Sequence, residues 1–309
     1  MYGKQGIRLE TADGGTRMTI ERIRKIAVIG AGTMGAQIAE LLARVGRFSV
    51  NLCDLSEQLV NQAIAAIRER MERFYVSKGK MTSDEMERAL ALIVPQDNLP
   101  NAVRDVDFVI EAVIERLAVK QDVFRQLDEF TPSHVILASN TSYQSITEIG
   151  SVTRRPEKVV GMHFFNPVAK MALVEVVKGA LTSDETVAKA VELARVLGKE
   201  PVVCRDISYG FLANRAYLAM VKEAMQMVWE KVASPEEIDK ALRLGYNLPM
   251  GPLELFDFVD AWKIRMSCEE DEIKELGPER GRMHPLVRMM ARTGYTKIYP
   301  FWKEVLSKY

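Results

Sequence analysis

Residues 25–35, Lys-Ile-Ala-Val-Ile-Gly-Ala-Gly-Thr-Met-Gly, decide how this chain folds. Lys25 to Gly30 is a short apolar run rich in β-branched residues, charged at one end and followed by glycines, the pattern of a buried strand. Gly30-Ala31-Gly32-Thr33-Met34-Gly35 then fits G-x-G-x-x-G, and Met34 to Val45 continues with helical periodicity. Phe48 to Cys53 reads as the next strand, completing a βαβ unit of the kind that builds parallel sheets. A glycine hexapeptide alone is weak evidence, but this one has a strand before it and a helix after it. Gly30 allows the tight turn, Gly32 lets backbone amides approach a pyrophosphate, and Gly35 lets helix and sheet pack closely. Asp54 ends the second strand ~20 residues on, where a carboxylate bonds adenosine ribose hydroxyls. That carboxylate would repel a 2′-phosphate, and Leu55, Ser56 and Glu57 supply no arginine to hold one. The implied cofactor is NAD, bound by Gly30, Ala31, Gly32, Thr33, Met34, Gly35 and Asp54.

Working outward, Ser56 to Leu92 is long, charged and helical, broken near Gly79, with Thr82 or Ser83 able to cap a second helix. A hairpin of that size is expected to project from the sheet. Strand patterns resume at Asp107 to Ala112, His134 to Ala138, Val159 to Met162, Ala172 to Val177 and Pro201 to Val203, with helices at Leu117 to Phe130 and Asp184 to Leu197. From Phe211 onward only helical patterns follow: Phe211 to Lys231, Pro235 to Leu244 behind a Ser234/Glu237 capping box, and Pro252 to Met266. The expected fold class is α/β: a Rossmann-type, mostly parallel sheet domain with a helical hairpin insertion, then a smaller all-α domain. The expected divisions are a flexible extension over 1–22, without the apolar core of a signal peptide, an NAD-binding domain over 23–205 and a helical domain over 206–309.

The 42 basic and 42 acidic side chains among 309 residues give no reason to expect nucleic acid or an anionic membrane as partner. No apolar run is long enough to span a bilayer. Cys53, Cys204 and Cys268 show neither paired nor metal-ligand spacing, so no metal is implied and a reducing cytoplasm fits.

Three histidines narrow the search for a general base. His134 and His284 read as loop or surface residues. His163 ends a strand, inside His163-Phe164-Phe165-Asn166-Pro167, where ligands bind in open parallel sheets. Glu175 lies in the apolar run 173–177. Either it faces solvent on an edge strand, or it bonds His163, orients the ring and raises its basicity.

Ser139-Asn140-Thr141-Ser142, His163-Phe164-Phe165-Asn166-Pro167 and Leu173-Val174-Glu175-Val176 resemble signature runs of the L-3-hydroxyacyl-CoA dehydrogenase family. Gly210-Phe211-Leu212-Ala213-Asn214-Arg215 and Met250-Gly251-Pro252, with Leu255 and Asp257, resemble two more. The resemblance implies an NAD-dependent enzyme that oxidises an L-3-hydroxyacyl-CoA, with His163 as base and Glu175 as its partner. It implies Ser142 and Asn214 as contacts to substrate and reacting oxygen, and Glu115, Lys120, Asn140, Ser142 and Asn166 around the nicotinamide half of the cofactor. It also implies a hairpin covering the CoA moiety, with Arg70 and Lys78 suited to its phosphates, and a homodimer formed through the helical domain.

Three departures from the family pattern stand out. Asp206-Ile207-Ser208-Tyr209-Gly210-Phe211 lacks the usual proline and carries an extra residue, which would loosen or reshape the hinge beside Asn214. Tyr143 replaces a small residue directly after Ser142 and would reshape the acyl pocket. Val259-Asp260-Ala261-Trp262 stands where a Gly-x-Asp run is common. A dehydrogenase of free hydroxy acids, of the gulonate dehydrogenase type, shares the two-domain plan, but Phe164-Phe165 favours the CoA branch. A non-catalytic NAD-binding relative would be expected to have lost the His–Glu pair.

Overall fold

The computed structural model describes residues 23–207 and 209–308, with the side chains of 263–265 and 267–268 left aside. The expected extension over 1–22, Ser208 of the hinge departure and the Cys268 side chain lie outside the described residues.

Eight strands form one sheet: β1 Lys25–Ile29, β2 Ser49–Cys53, β3 Ile93–Gln96, β4 Phe108–Glu111, β5 Ile136–Ser139, β6 Val159–Phe164, β7 Leu173–Lys178 and β8 Glu200–Arg205. Their spatial order is β3-β2-β1-β4-β5-β6-β7-β8. Every neighbouring pair is parallel except β6 with β7. Chain direction around the sheet reverses between β2 and β4, on either side of β1, so the loops after β1, β4 and β5 meet at one crevice, the place where such sheets bind ligands. Helices α1 Thr33–Arg44, α2 Glu57–Met71, α3 Ser83–Leu90, α4 Leu99–Val103, α5 Leu117–Phe130, α6 Ile146–Gly150 and α7 Asp184–Val196 connect the strands.

The hairpin does not stand clear of the sheet as expected. Val60, Ala63, Ile67 and Met71 of α2 and Met86, Ala89 and Leu90 of α3 join the same apolar core as α1 and the inner strands. Only the tip, where α2 runs into a wider π turn at Glu72–Val76, has no fully buried residue, though Tyr75 and Val76 pack half-buried against the same core. The buried Glu40 of α1 pins that tip, pairing with Arg70 at 2.5 Å and Arg44 at 3.5 Å, while Arg44 lies over the Tyr75 ring. Thr82 and Glu85 close a full capping box at the head of α3.

The last third is helical: α8 Ala213–Trp229, α9 Pro235–Tyr246, α10 Pro252–Phe258, α11 Ala261–Gly281, bent at Gly277, α12 Pro285–Thr293 and α13 Ile298–Glu304. The single helix expected over 252–266 is two, because Asp260 takes a left-handed conformation (φ 50°) between α10 and α11. The Met250-Gly251-Pro252 run has a packing cause. A Cβ at Gly251 would sit 2.2 Å from the Asp239 carboxyl carbon, and Asp239 accepts the Leu253 and Glu254 amides that open α10. Asp257 likewise accepts the Ile298 and Tyr299 amides at the head of α13. These conserve shape around a separate apolar core of α8 to α13. His284 is not a surface residue either: it caps α12, its Nδ1 accepting the Leu286 amide and its Nε2 facing Gln226 Oε1 at 2.9 Å.

Candidate active site

The crevice has a cofactor end and a catalytic end. At the cofactor end β1 stops at Ile29, and Gly30 turns the chain at φ +102°, with the position of a Cβ filled by the Ala112 carbonyl at 2.6 Å. A Cβ on Gly35 would lie 1.7 Å from the Gly30 carbonyl oxygen, so helix and turn touch through their backbones. Gly32 differs: a Cβ there would meet nothing within 4 Å. No protein contact demands glycine at 32, whereas a pyrophosphate laid against the loop does. Gly32 is also the N-cap of α1 and caps it with no side chain, leaving the positive end of the helix open. Asp54 accepts the Ala31 amide at 2.6 Å and the Leu55 amide at 2.7 Å, which holds its carboxylate beside the loop. These residues fit a bound dinucleotide.

The loops after β4 and β5 form the floor. Glu111, opposite Ile29 on one side and Ser139 on the other, is fully buried. Its carboxylate accepts the Ser139 hydroxyl at 2.6 Å, the Val113 amide at 2.7 Å and the buried Lys120 ammonium at 2.8 Å. Lys120 reaches Glu115 at 3.2 Å as well. Burial works against the Lys120 charge, but the two carboxylates outweigh it and hold the ammonium protonated above the usual lysine range. Glu115 in turn accepts the Thr141 hydroxyl and the amides of Ser142 and Tyr143, fixing the loop that carries Ser142. Neither Glu111 nor Thr141 was singled out from sequence; an isolated Glu at the end of an apolar strand was the only signal.

At the catalytic end His163 lies inside β6 rather than beyond it, and stands directly opposite Glu175 of the antiparallel β7. The cross-strand pair places His163 Nδ1 2.8 Å from Glu175 Oε2. Strand β7 is flanked by β8, so Glu175 is no edge residue; both side chains are almost wholly buried. The second oxygen, Oε1, accepts the Ala213 amide at 2.8 Å and the Leu212 amide at 3.1 Å, at the start of α8. Burial pushes the Glu175 carboxyl upward, yet the imidazole and the two amides prevail and lower it below the ordinary carboxylate range. His163 Nε2 has no hydrogen-bond partner among the described residues. The ring is flanked by Phe165 at 4.3 Å and Phe211 at 5.8 Å.

Asn140 braces the two ends, its Oδ1 accepting the Phe164 amide at 3.0 Å. Asn166, joined to Pro167 by a cis bond, accepts from Gln37 Nε2 at 3.1 Å, and Gln37 Oε1 accepts the Val168 amide. Gln37, missed in the sequence, therefore ties α1 to the His-Phe-Phe-Asn-Pro loop. Ser142 and Asn214 are half-buried, with side chains that make no hydrogen bond among the described residues. Arg70 is engaged by Glu40 on the inner side of the hairpin. Lys78 is exposed and rests over the ring of Phe74, as Arg73 does from its other neighbour position.

A doubly wound sheet with a dinucleotide loop and a buried imidazole–carboxylate pair at the same crevice defines an NAD-dependent oxidoreductase. Residues 25–207 match the pattern described as "3-hydroxyacyl-CoA dehydrogenase, NAD binding domain", and residues 210–297 match "3-hydroxyacyl-CoA dehydrogenase, C-terminal domain". The chain is 41% identical to a probable 3-hydroxybutyryl-CoA dehydrogenase of Bacillus subtilis, the match covering 88% of this chain and 93% of that one. It is 40% identical to a 3-hydroxybutyryl-CoA dehydrogenase of Clostridioides difficile, over 87% of this chain and 94% of that one. The crystal structure of an (S)-3-hydroxybutyryl-CoA dehydrogenase from Ralstonia eutropha superposes with a TM-score of 0.83 at 37% identity, covering 90% of this chain and 99% of that one. The chain belongs to the 3-hydroxyacyl-CoA dehydrogenase family.

Proposed function

We propose that the protein oxidises the 3-hydroxyl of an L-3-hydroxyacyl-CoA to the 3-oxo thioester, reversibly, with His163 as the general base. The observation that carries this reading is the His163–Glu175 pair, 2.8 Å apart, buried at the crevice that also bears the dinucleotide loop. NAD, when bound, supplies the acceptor for the hydride from C3. Nε2 of His163 takes the hydroxyl proton; Glu175 stays ionised, fixes the tautomer through Nδ1 and stabilises the imidazolium that forms. Ser142 and Asn214, whose side chains are otherwise unengaged, hold the reacting oxygen and the thioester. Glu115, Lys120, Asn140 and Asn166 shape the nicotinamide half of the cofactor site, largely by holding the loops that line it. Lys78 and Arg70 face the CoA phosphates from the hairpin, Arg70 with its Nε held by Glu40.

The same reading divides the chain into an NAD-binding unit over 23–205 and a helical unit over 206–309, in keeping with family patterns that change between 207 and 210. The helical unit exposes Leu244, Tyr246 and Phe258, apolar surface suited to a second copy, and we assign it the homodimer interface. No helix among the described residues is long and apolar enough to cross a membrane. The free thiols Cys53 and Cys204 support a cytoplasmic location.

The test follows NADH formation with (S)-3-hydroxybutyryl-CoA, its (R) isomer and free 3-hydroxybutyrate. Turnover of the (S) thioester alone is expected. Comparable turnover of the free acid would overturn the thioester assignment.

A further inference from the structure

Two of the residues that depart from the family pattern, Tyr143 and Tyr209, are far apart in sequence yet touch. Their rings stack with centroids 4.9 Å apart and planes 26° from parallel. Tyr143 follows Ser142 in the loop after β5, and its amide is fixed by Glu115 at 3.0 Å. Tyr209 sits just before Gly210-Phe211 at the entrance to α8 and is only 4% exposed. Leu218 of α8 and Leu276 of α11 pack around the pair. Leu218 lies one helical turn beyond Asn214, on the same face of α8. The small cluster thus joins the NAD-binding unit, the link between the units and two helices, next to the two residues assigned to the reacting oxygen.

Beyond the stack lies open space. A half-open cleft of about 720 Å³ in the helical unit is lined by Tyr209, Leu218, Leu276 and Met283 and rimmed by charged residues such as Arg215 and Lys222. Tyr209 is therefore a shared wall, with this cleft on one side, where Arg215 next to Asn214 also lines it, and on the other a smaller cleft that it lines with Tyr143 and Gln144, in the loop that carries Ser142. Of the two alternatives for the hinge, loosened or reshaped, the stack favours the second. The described half of the insertion is buried and stacked rather than loosened.

We infer that the Tyr143–Tyr209 stack is the far wall of the acyl pocket and makes the enzyme selective for short 3-hydroxyacyl chains. The inference rests on the assignment of Ser142 and Asn214 to the reacting end of the substrate. With C3 held there, carbons beyond C4 run against two aromatic rings that are locked by each other and by two leucines. Burying a longer chain requires the stack to open toward the larger cleft, which gives up the aromatic contact. Misfit of a single methylene in an apolar pocket is worth about 10- to 200-fold in kcat/KM.

The test compares kcat/KM for (S)-3-hydroxybutyryl-CoA and (S)-3-hydroxydecanoyl-CoA in the full-length enzyme, Tyr143→Ser, Tyr143→Phe, Tyr209→Ala and Tyr209→Leu, with thermal unfolding of each. The wild type is expected to favour the butyryl thioester by tenfold or more. Tyr143→Ser and Tyr209→Ala should raise the decanoyl-to-butyryl ratio by roughly tenfold, while Tyr143→Phe, which keeps the ring, preserves the wild-type ratio. Tyr209→Leu reads the same ratio if Tyr209→Ala does not fold. A wild type equally active on both thioesters, or ratios unmoved in both ring-deleting positions, overturns the stack as selector. A wild type inactive on both thioesters overturns instead the functional reading on which it rests.

Discussion

The two ends of the crevice are built by different means. The cofactor end is made of backbone: three glycines, one open helix terminus and an aspartate bonded to two amides, all within residues 29–55. The catalytic end is made of side chains brought together from separate elements. His163 and Glu175 are 12 residues apart, and Glu175 reaches amides 37 and 38 residues further on. A backbone site tolerates no side chain where the chain touches itself, whereas a side-chain site tolerates deletion without loss of fold. Substitutions at the two ends should therefore separate stability from turnover.

The largest effect is expected at the catalytic end. His163→Ala should lower kcat by about 10²–10⁴ with NAD binding retained, and should also lower the unfolding midpoint somewhat, because it leaves the buried Glu175 carboxylate without its imidazole. Glu175→Gln should lower kcat less and should also speed hydrogen exchange at the Leu212 and Ala213 amides, which lose a charged acceptor. Near-native turnover in His163→Ala would remove the contrast between the two ends altogether.

Next come the glycines. Gly35→Ala should destabilise the fold by roughly 1–3 kcal/mol or more, because its Cβ would lie 1.7 Å from a carbonyl oxygen. Gly32→Ala should unfold like the wild type and instead weaken NAD binding, measured by NADH fluorescence titration. Equal loss of stability in both variants would mean that Gly32 serves packing and that the open space above it has no ligand role.

The smallest effect concerns a second imidazole, in the helical unit. Burial and the nearby Lys222 charge depress the His284 pKa from 6.5 to about 4. Nδ1 accepts the Leu286 amide, so the folded state wants the neutral ring. A depressed histidine contributes stability that is complete above pH 6.5 and is lost as the pH falls toward 4. His284→Gln should flatten the fall in unfolding free energy, from urea titrations, between pH 7 and pH 5 by roughly 1 kcal/mol. An unchanged slope would show that acid sensitivity arises elsewhere, in the carboxylates of the sheet unit.

The same contrast decides what could be read from the sequence. The glycine loop, Asp54 and the first βαβ unit were legible because their contacts are local and their residue types are forced. Edge strand β3 escaped because Ile93-Val94-Pro95-Gln96 has little alternation and contains a proline, which an edge position admits. The break at Asp260 escaped because a left-handed aspartate leaves no composition signal. His163 and Glu175 stand out as candidates by residue type, but their pairing is only one of two readings of Glu175, since nothing in linear spacing reveals that β7 turns back against β6. Glu111, Gln37 and the bonds from Glu175 to α8 are products of tertiary contact. Tyr143 and Tyr209 were each visible as departures, but not as neighbours.

The carboxylate that orients the base is also the one that receives the first amides of α8. One oxygen of Glu175 faces the chemistry and the other faces the seam with the last third of the chain. During synthesis the strands that carry His163 and Glu175 leave the ribosome before α8, so Glu175 at first lacks its two amides. The base then acquires its full set of partners only when α8 docks.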